Sequence, residues 1–516
     1  MEVLGCTEVA EGDNFFLLGG TSMMAARLQE RVWQLLGIRP TLRDLLRCRT
    51  FAEQAGLVAG AADGGELVVP PAGELAFHSQ LAARFDRARA ALSRGDLPAI
   101  NAMTLTMRFR KVSDLEVVAG AVGDLLRRHD GLRTAYVFDG PVVRAEVREL
   151  EPGWRPVVRD YRERGRGAAL RAVAEEMEAA ERGVIDLGAG PVALVLVAGV
   201  ADGEAVGGLV LDHVCADGQS MLVLRRDLEE LYAARVTGRP PRLPRLVAPE
   251  YQLVAWNAQR AEVDVERRSA AWRELMASYP QAPVFELMPH DRPAYEFDVA
   301  PAACAEYRLD GGAVAGLVAG ARALGVPALA VVLAALYLGV HAVSGASDIC
   351  VRVHHQRRDV PGSQDAVGWF SDEAIVRVGD VFGGHPGRAG WPAVARHVAA
   401  YIDRAAEIML PVTLVMSALG LDGTHLSQIP HISLDYAEPG LAMLPADPLT
   451  IPIPPPAPSS EGTKGIRVVV RRGTDALTAS FIAPEPLYSA PVLEELAGHM
   501  KNALTSLMKD QSTLHC

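Results

Sequence analysis

Between Gly60 and Gly73 the chain turns to glycine, alanine and proline, a composition that supports neither helix nor sheet. The break divides the 516 residues into a front segment, 1–60, a linker, 61–73, and a long remainder, 74–516. The two parts must therefore build separate cores. In the front segment Met24, Leu28, Val32 and Leu35 fall at helical spacing, with Gly37 where a C-terminal cap would stand. Thr50 is placed to cap a last helix, Phe51 to Val58. A small all-α bundle is the expectation there. In the remainder, helical stretches alternate with β-branched runs such as residues 192–200 and 207–211, the pattern of an α/β domain. The apolar run 328–340 is shorter than the roughly 20 residues that cross a bilayer. It starts after Pro327 and ends before His341, so it reads as a buried helix. Residues 448–465, with Ile-Pro-Ile-Pro-Pro-Pro, are expected to be a surface loop rather than a helix or central strand. Residues 466–471 and 476–482 flank Arg472-Gly473-Thr474-Asp475 as a hairpin.

Several function classes are excluded by the same survey. Net charge is −12, and no basic stripe is interleaved with aromatics, so nucleic acid is not expected as a partner. The first residues lack the basic-then-apolar order of a signal peptide. With no spanning segment either, no membrane association and a cytoplasmic setting are expected. Cys6, Cys48, Cys215, Cys304, Cys350 and Cys516 show no CxxC spacing, which implies neither a metal site nor a disulfide framework. No GxxxxGK[ST] and no strand–GxGxxG–helix unit occurs, so neither ATP nor a dinucleotide is implied.

Two local signals carry chemistry. The first is Asp13-Asn14-Phe15-Phe16-Leu17-Leu18-Gly19-Gly20-Thr21-Ser22. Two aromatics pack this loop, two glycines let it turn, and Ser22 opens a helix. The free N–H groups and positive dipole end of a helix N-terminus suit a serine that carries a phosphodiester. The second is Gly207-Gly208-Leu209-Val210-Leu211-Asp212-His213-Val214-Cys215-Ala216-Asp217-Gly218-Gln219-Ser220, an apolar strand ending in a polar turn before a helix. A histidine at such a strand end can face a cleft, and its ordinary pKa lies near working pH. The Asp-Gly pair supplies the tight turn that aims it.

The first string resembles the attachment motif of peptidyl carrier proteins. That resemblance implies that Ser22 bears 4′-phosphopantetheine, placed there by a phosphopantetheinyl transferase, and that Met23 is exposed for docking. Family carriers have a full first helix before the motif, whereas only Met1–Gly5 stand here, so the bundle is expected to be N-terminally truncated. The second string resembles the His-His-x-x-x-Asp-Gly signature of nonribosomal peptide synthetase condensation domains, in the chloramphenicol-acetyltransferase-like superfamily. Further matches follow in order: Arg128-His129-Asp130-Gly131-Leu132-Arg133-Thr134, Tyr251 to Trp256, Ala282 to Leu287 with Asp291-Arg292-Pro293, Ser344-Gly345, Asp348-Ile349, and Val367-Gly368-Trp369-Phe370.

The resemblance implies a carrier–condensation didomain whose second part has two α/β lobes, about 74–240 and 241–516. It implies an acyltransferase: an acceptor amine or hydroxyl attacks a carrier-bound thioester, forming an amide or ester. The partners would be donor and acceptor carriers or neighbouring synthetase modules. His213 would be the main catalytic residue, as general base or by holding the nucleophile in line. Asp217 would orient the loop through a salt bridge, with Arg358 or Arg133 as the partner, and Gly218 would leave room for the donor arm.

Asp212 stands where the signature has its first histidine. With Asp217 and Ser220 it completes the Asp-x4-Asp-x2-Ser pattern of heterocyclisation domains, which would make Asp212 catalytic on a Cys, Ser or Thr acceptor. Retention of His213 favours plain condensation. Val367-Gly368-Trp369-Phe370 also resembles epimerisation domains, although Ser220-Met221-Leu222-Val223-Leu224 departs from their pattern. The lost signature histidine also leaves open a non-catalytic fold that recruits partner enzymes.

Overall fold

The computed structural model describes residues 9–15, scattered positions between 28 and 48, and 50–61, 79–140, 142–258, 302–310, 312–346, 348–356, 358, 360, 362–378, 391–408, 432–437, 450–452, 465–472, 476–484 and 488–509. In the front segment, Thr50 opens α1 (Phe51–Ala61) with a reciprocal cap. Thr50 Oγ1 accepts from Glu53 N and Glu53 Oε2 accepts from Thr50 N, each at 3.3 Å. Asn14 bridges to Thr50, and buried Phe15 meets Phe51 edge-on with centroids 6.0 Å apart. The base of the predicted attachment loop is thereby fastened to α1. Leu28, Val32 and Leu35 are helical as their spacing predicts, but Leu35 is 69% exposed.

The first α/β unit opens with α2 (Ser79–Ser93), β1 (Ala102–Arg110), α3 (Leu115–Arg128), β2 (Thr134–Asp139), β3 (Val142–Val147) and β4 (Val157–Asp160). It continues through α4 (Arg166–Glu181), β5 (Val192–Ala201), β6 (Glu204–Asp212) and α5 (Gly218–Thr237). Its main sheet has the order β11-β1-β6-β5-β4, with β11 formed by Thr450–Pro452, and β2 and β3 form a separate hairpin. The near-continuous apolar strings of β5 and β6 follow from burial on both faces. A Cβ on Gly208 would lie 2.5 Å from Met177 Sδ, so glycine there lets α4 close onto the strand. That packing brings the polar end of β6 to the margin of the sheet.

The second sheet has the order β7-β13-β12-β10-β8-β9. It is built from β7 (Ala302–Asp310), β8 (Ile349–Gln356), β9 (Ser371–Val378), β10 (Ile432–Ala437), β12 (Ile466–Arg472) and β13 (Ala476–Pro484). Its helices are α6 (Gly312–Leu324), α7 (Ala328–Ser344), α8 (Trp391–Ile408) and α9 (Ala490–Lys509). The run at 328–340 is the buried helix its flanks predict, with Val331, Val332, Leu336 and Tyr337 fully buried in this core. Among the described residues no single helix is long and apolar enough to cross a membrane. β12 and β13 pair antiparallel, as the sequence pattern implies.

Two features cut across the expected lobe boundary at 240. Residues 450–452 form β11, which pairs with β1 through Met107–Pro452, Arg108–Ile451 and Phe109–Thr450. The expected surface loop therefore contains an edge strand, the one sheet position where proline's missing N–H does no harm. In addition, Val360, Ala366, Val367, Trp369 and Phe370 pack into the first core, although β8 and β9 on either side of them belong to the second sheet. The two cores stay distinct, the first drawing on residues 81–254 and 360–370 and the second on residues between 303 and 504.

Candidate functional site

β6 delivers Asp212 and His213 to the sheet margin, where the backbone is pinned on both sides. Asp212 N donates to Pro191 O at 2.7 Å and His213 N to Asn101 O at 2.8 Å. A single 3₁₀ turn, 213–215, follows before Asp217 caps α5. His213 is half-buried, and its imidazole lies against the indole of Trp369, with centroids 3.9 Å apart and planes at 40°.

Asp217 engages the chain well beyond its own helix. Its Oδ1 accepts from Ser220 N at 2.8 Å and from the Arg358 guanidinium at 2.9 Å. Its Oδ2 accepts from Phe370 N and Ser371 N, both at 3.0 Å. Burial alone would push this carboxyl up, but Arg358 and the N–H donors outweigh it and hold the pKa below its ordinary value. Ser220 Oγ accepts from Gly368 N at 3.0 Å and lies 2.8 Å from both Gly368 O and Asp217 Oδ1. Arg358 also donates to Ser363 O and Ala366 O, and its guanidinium covers the Phe370 ring at 4.3 Å.

Of the two arginines expected as partners for Asp217, Arg133 is not one. It ends the 3₁₀ turn after α3, and that position turns its guanidinium back onto the free carbonyls at the helix end. There it donates to Leu126 O at 2.9 Å and to Arg127 O, with Arg148 O at 2.6 Å beyond. Gly218 meets open space: a Cβ there would have nothing within 4 Å.

Asp212 sits in a different setting from His213. It is fully buried and paired with Arg84 of α2, Arg84 Nη2 to Oδ2 at 2.6 Å and Nε to Oδ1 at 3.2 Å. Asn101 N and Val214 N also donate to it. The Arg84 pair closes α2 onto the strand end. No motif spacing pointed to Arg84, which lies on a helix that the motifs do not reach.

A second buried ionic cluster was also invisible to the motif reading, although His129 and Asp130 lie within one of the matched strings. His129 Nδ1 lies 2.7 Å from Glu250 Oε1 and Nε2 lies 3.1 Å from Asp227 Oδ2. Burial works against the charged ring, but the two carboxylates prevail and raise its pKa to about 9. Asp130 is pushed up to about 7 by burial and by Glu250. Glu250 also accepts from Val367 N at 2.6 Å and Gly131 N at 2.8 Å. Glu250, Ser220 and Asp217 together hold residues 367–371 against the first core.

Ser22, Met23, and the matched strings at 282–287 and 291–293 lie outside the described residues. Among the described residues, no group of His, Cys, Asp or Glu is arranged to hold a metal ion.

Residues 96–378 match the family described as Condensation domain, and residues 1–58 match Phosphopantetheine attachment site. Malpibaldin synthetase of Mortierella alpina is 28% identical over 390 residues, which is 73% of this chain and 7% of that protein. CymA of Salinispora arenicola, described as a probable nonribosomal peptide synthetase, is 31% identical over 408 residues, 75% of this chain and 5% of that protein. The chain thus spans less than a tenth of the length of these relatives. Among solved structures, the X-domain from teicoplanin biosynthesis is 21% identical with a TM-score of 0.68, covering 86% of this chain and 97% of that one. The epimerization domain from the third module of tyrocidine synthetase B is 17% identical with a TM-score of 0.67, covering 88% and 100%. These likenesses show the fold, a two-lobed α/β architecture of the chloramphenicol-acetyltransferase-like kind.

Proposed function

This chain belongs to the condensation domain family of nonribosomal peptide synthetases, preceded by a phosphopantetheine attachment segment, and from that premise we propose that it joins a carrier-bound acyl group to an amine or hydroxyl acceptor. The observation that carries the proposal is the division of labour at the end of β6. Asp217 is fully engaged with Arg358 and the 367–371 segment, which leaves His213 as the half-buried ring at the sheet margin.

A phosphopantetheine arm on Ser22 would present the acyl group as a thioester. His213 would take the acceptor's proton or hold the acceptor in line, the C–N or C–O bond forming as the C–S bond of such a thioester breaks. The proton then passes to the departing thiolate. Room for such an arm at Gly218 is supported by the absence of any atom within 4 Å of a Cβ there. Donor and acceptor carriers of neighbouring modules are the partners, and tethering raises their local concentration without any new contact.

Loading tests the carrier half. A phosphopantetheinyl transferase with coenzyme A is expected to add one phosphopantetheine mass to the chain, and Ser22→Ala should abolish the addition. An unmodified folded protein that retains Ser22 would remove the carrier assignment.

Heterocyclisation is the second reading, and Asp212 decides between the two. Held by Arg84 and two backbone N–H groups, Asp212 has its oxygens committed to structure, which favours plain condensation. With a Cys, Ser or Thr acceptor the product should therefore be linear by mass. A product lighter by one further water would reverse the assignment and make Asp212 catalytic.

A further inference from the structure

The segment that covers His213 is held with little freedom. Val367 N is bound by Glu250, Gly368 N by Ser220, and Phe370 N and Ser371 N by Asp217, so the backbone on both sides of Trp369 is tied to the first α/β unit. A Cβ on Gly368 would lie 2.5 Å from Val254 Cγ2, and one on Gly131 would lie 2.8 Å from Val367 O. Neither side leaves slack. Trp369 itself is 5% exposed, and its indole rests on the His213 imidazole.

We propose that Trp369 is a positioning residue for His213, setting the plane of the imidazole and favouring its protonated form through the face of the indole. The proposal rests on the reading of His213 as the acting imidazole. An aromatic face attracts a cation, and tryptophan does so best. Among the described residues, the carboxylates nearby are paired: Asp212 with Arg84, Asp217 with Arg358, and Glu250 with His129. The Cys215 thiol, two residues on, is held neutral by burial, and burial keeps the Tyr136 hydroxyl neutral too. The indole face adds its own contribution to the imidazolium beside theirs.

The test is an NMR titration of His213 in the full chain, its signal assigned by its loss in His213→Gln. Trp369→Leu should lower the midpoint by roughly half to one and a half pH units. Trp369→Phe should restore part of that difference. An unchanged midpoint in folded Trp369→Leu would overturn the proposal, as would an equal fall in the phenylalanine variant. A measurement on the unaltered ring guards against misfolding of the leucine variant. Tryptophan emission should drop as His213 takes its proton, and this step should vanish in His213→Gln. Its persistence in His213→Gln would also overturn the proposal. Both readouts use the resting chain without donor or acceptor, so their failure is separable from failure of the bond-forming reading.

Discussion

Replacing His213 with alanine is expected to slow bond formation by roughly 10²-fold or more while the fold and the loading of Ser22 stay intact. The side chain projects from a backbone already fixed by the His213 N to Asn101 O hydrogen bond, so truncation leaves the turn in place. A base poised near working pH contributes about 10²–10⁴-fold, which sets the lower limit of the expected loss. Single-turnover transfer from the loaded carrier to an acceptor on the neighbouring module reads the effect directly, because substrate binding and product release drop out. A variant that transfers at the full rate would mean that holding the two reactants together supplies the acceleration.

Asp217→Ala should destabilise the protein by about 3–5 kcal/mol, because it leaves the Arg358 guanidinium buried without its counter-charge. The same change strips acceptors from Ser220 N, Phe370 N and Ser371 N. Arg358→Ala should cost a similar amount. The double variant should cost clearly less than the sum, since neither charge is then stranded. Denaturant unfolding midpoints measure all three, and strict additivity would contradict the ion pair. The pH dependence has a definite sign. The carboxyl's folded pKa lies below its unfolded value of about 3.9, so its contribution is complete above that pH. It is lost as pH falls through the folded value. The difference between the parent and Asp217→Ala should therefore be full at neutrality and shrink in acid.

What the sequence disclosed was local. The helix at Ala328–Ser344 followed from an apolar run bounded by Pro327 and His341, and the Thr50 cap from a hydroxyl just before the helix at Phe51. Strand β6 and its turn were legible for the same reason, since hydrophobic period and turn chemistry are properties of a short window. What escaped was pairing at a distance. No window contains both Arg84 and Asp212, or Glu250 and Val367, and Trp369 reaches His213 only because a distant segment folds back. Choosing between Arg133 and Arg358 for Asp217 failed on the same ground. Both are arginines in matched regions, and only the position of Arg133 at the end of α3 turns it toward carbonyls. β11 was missed because three proline-rich residues at an edge show no strand period.

The pairing of β11 with β1 also bears on how the chain is made. β1 leaves the ribosome early, and the residues that cover its outer edge come hundreds of positions later, Arg108 waiting for Ile451. Until then the row of N–H and C=O groups on that side of β1 is open, and an uncovered edge strand is a template for another chain. Partly synthesised chains pass through this state in N-to-C order, so crowding on one message favours misassembly there. The same logic governs where the protein is cut. A fragment that stops at residue 378, where the family match ends, keeps His213, Asp217, Arg358 and Trp369 but leaves β1 bare. A fragment retaining the site would still lack the strand that keeps its sheet from joining others.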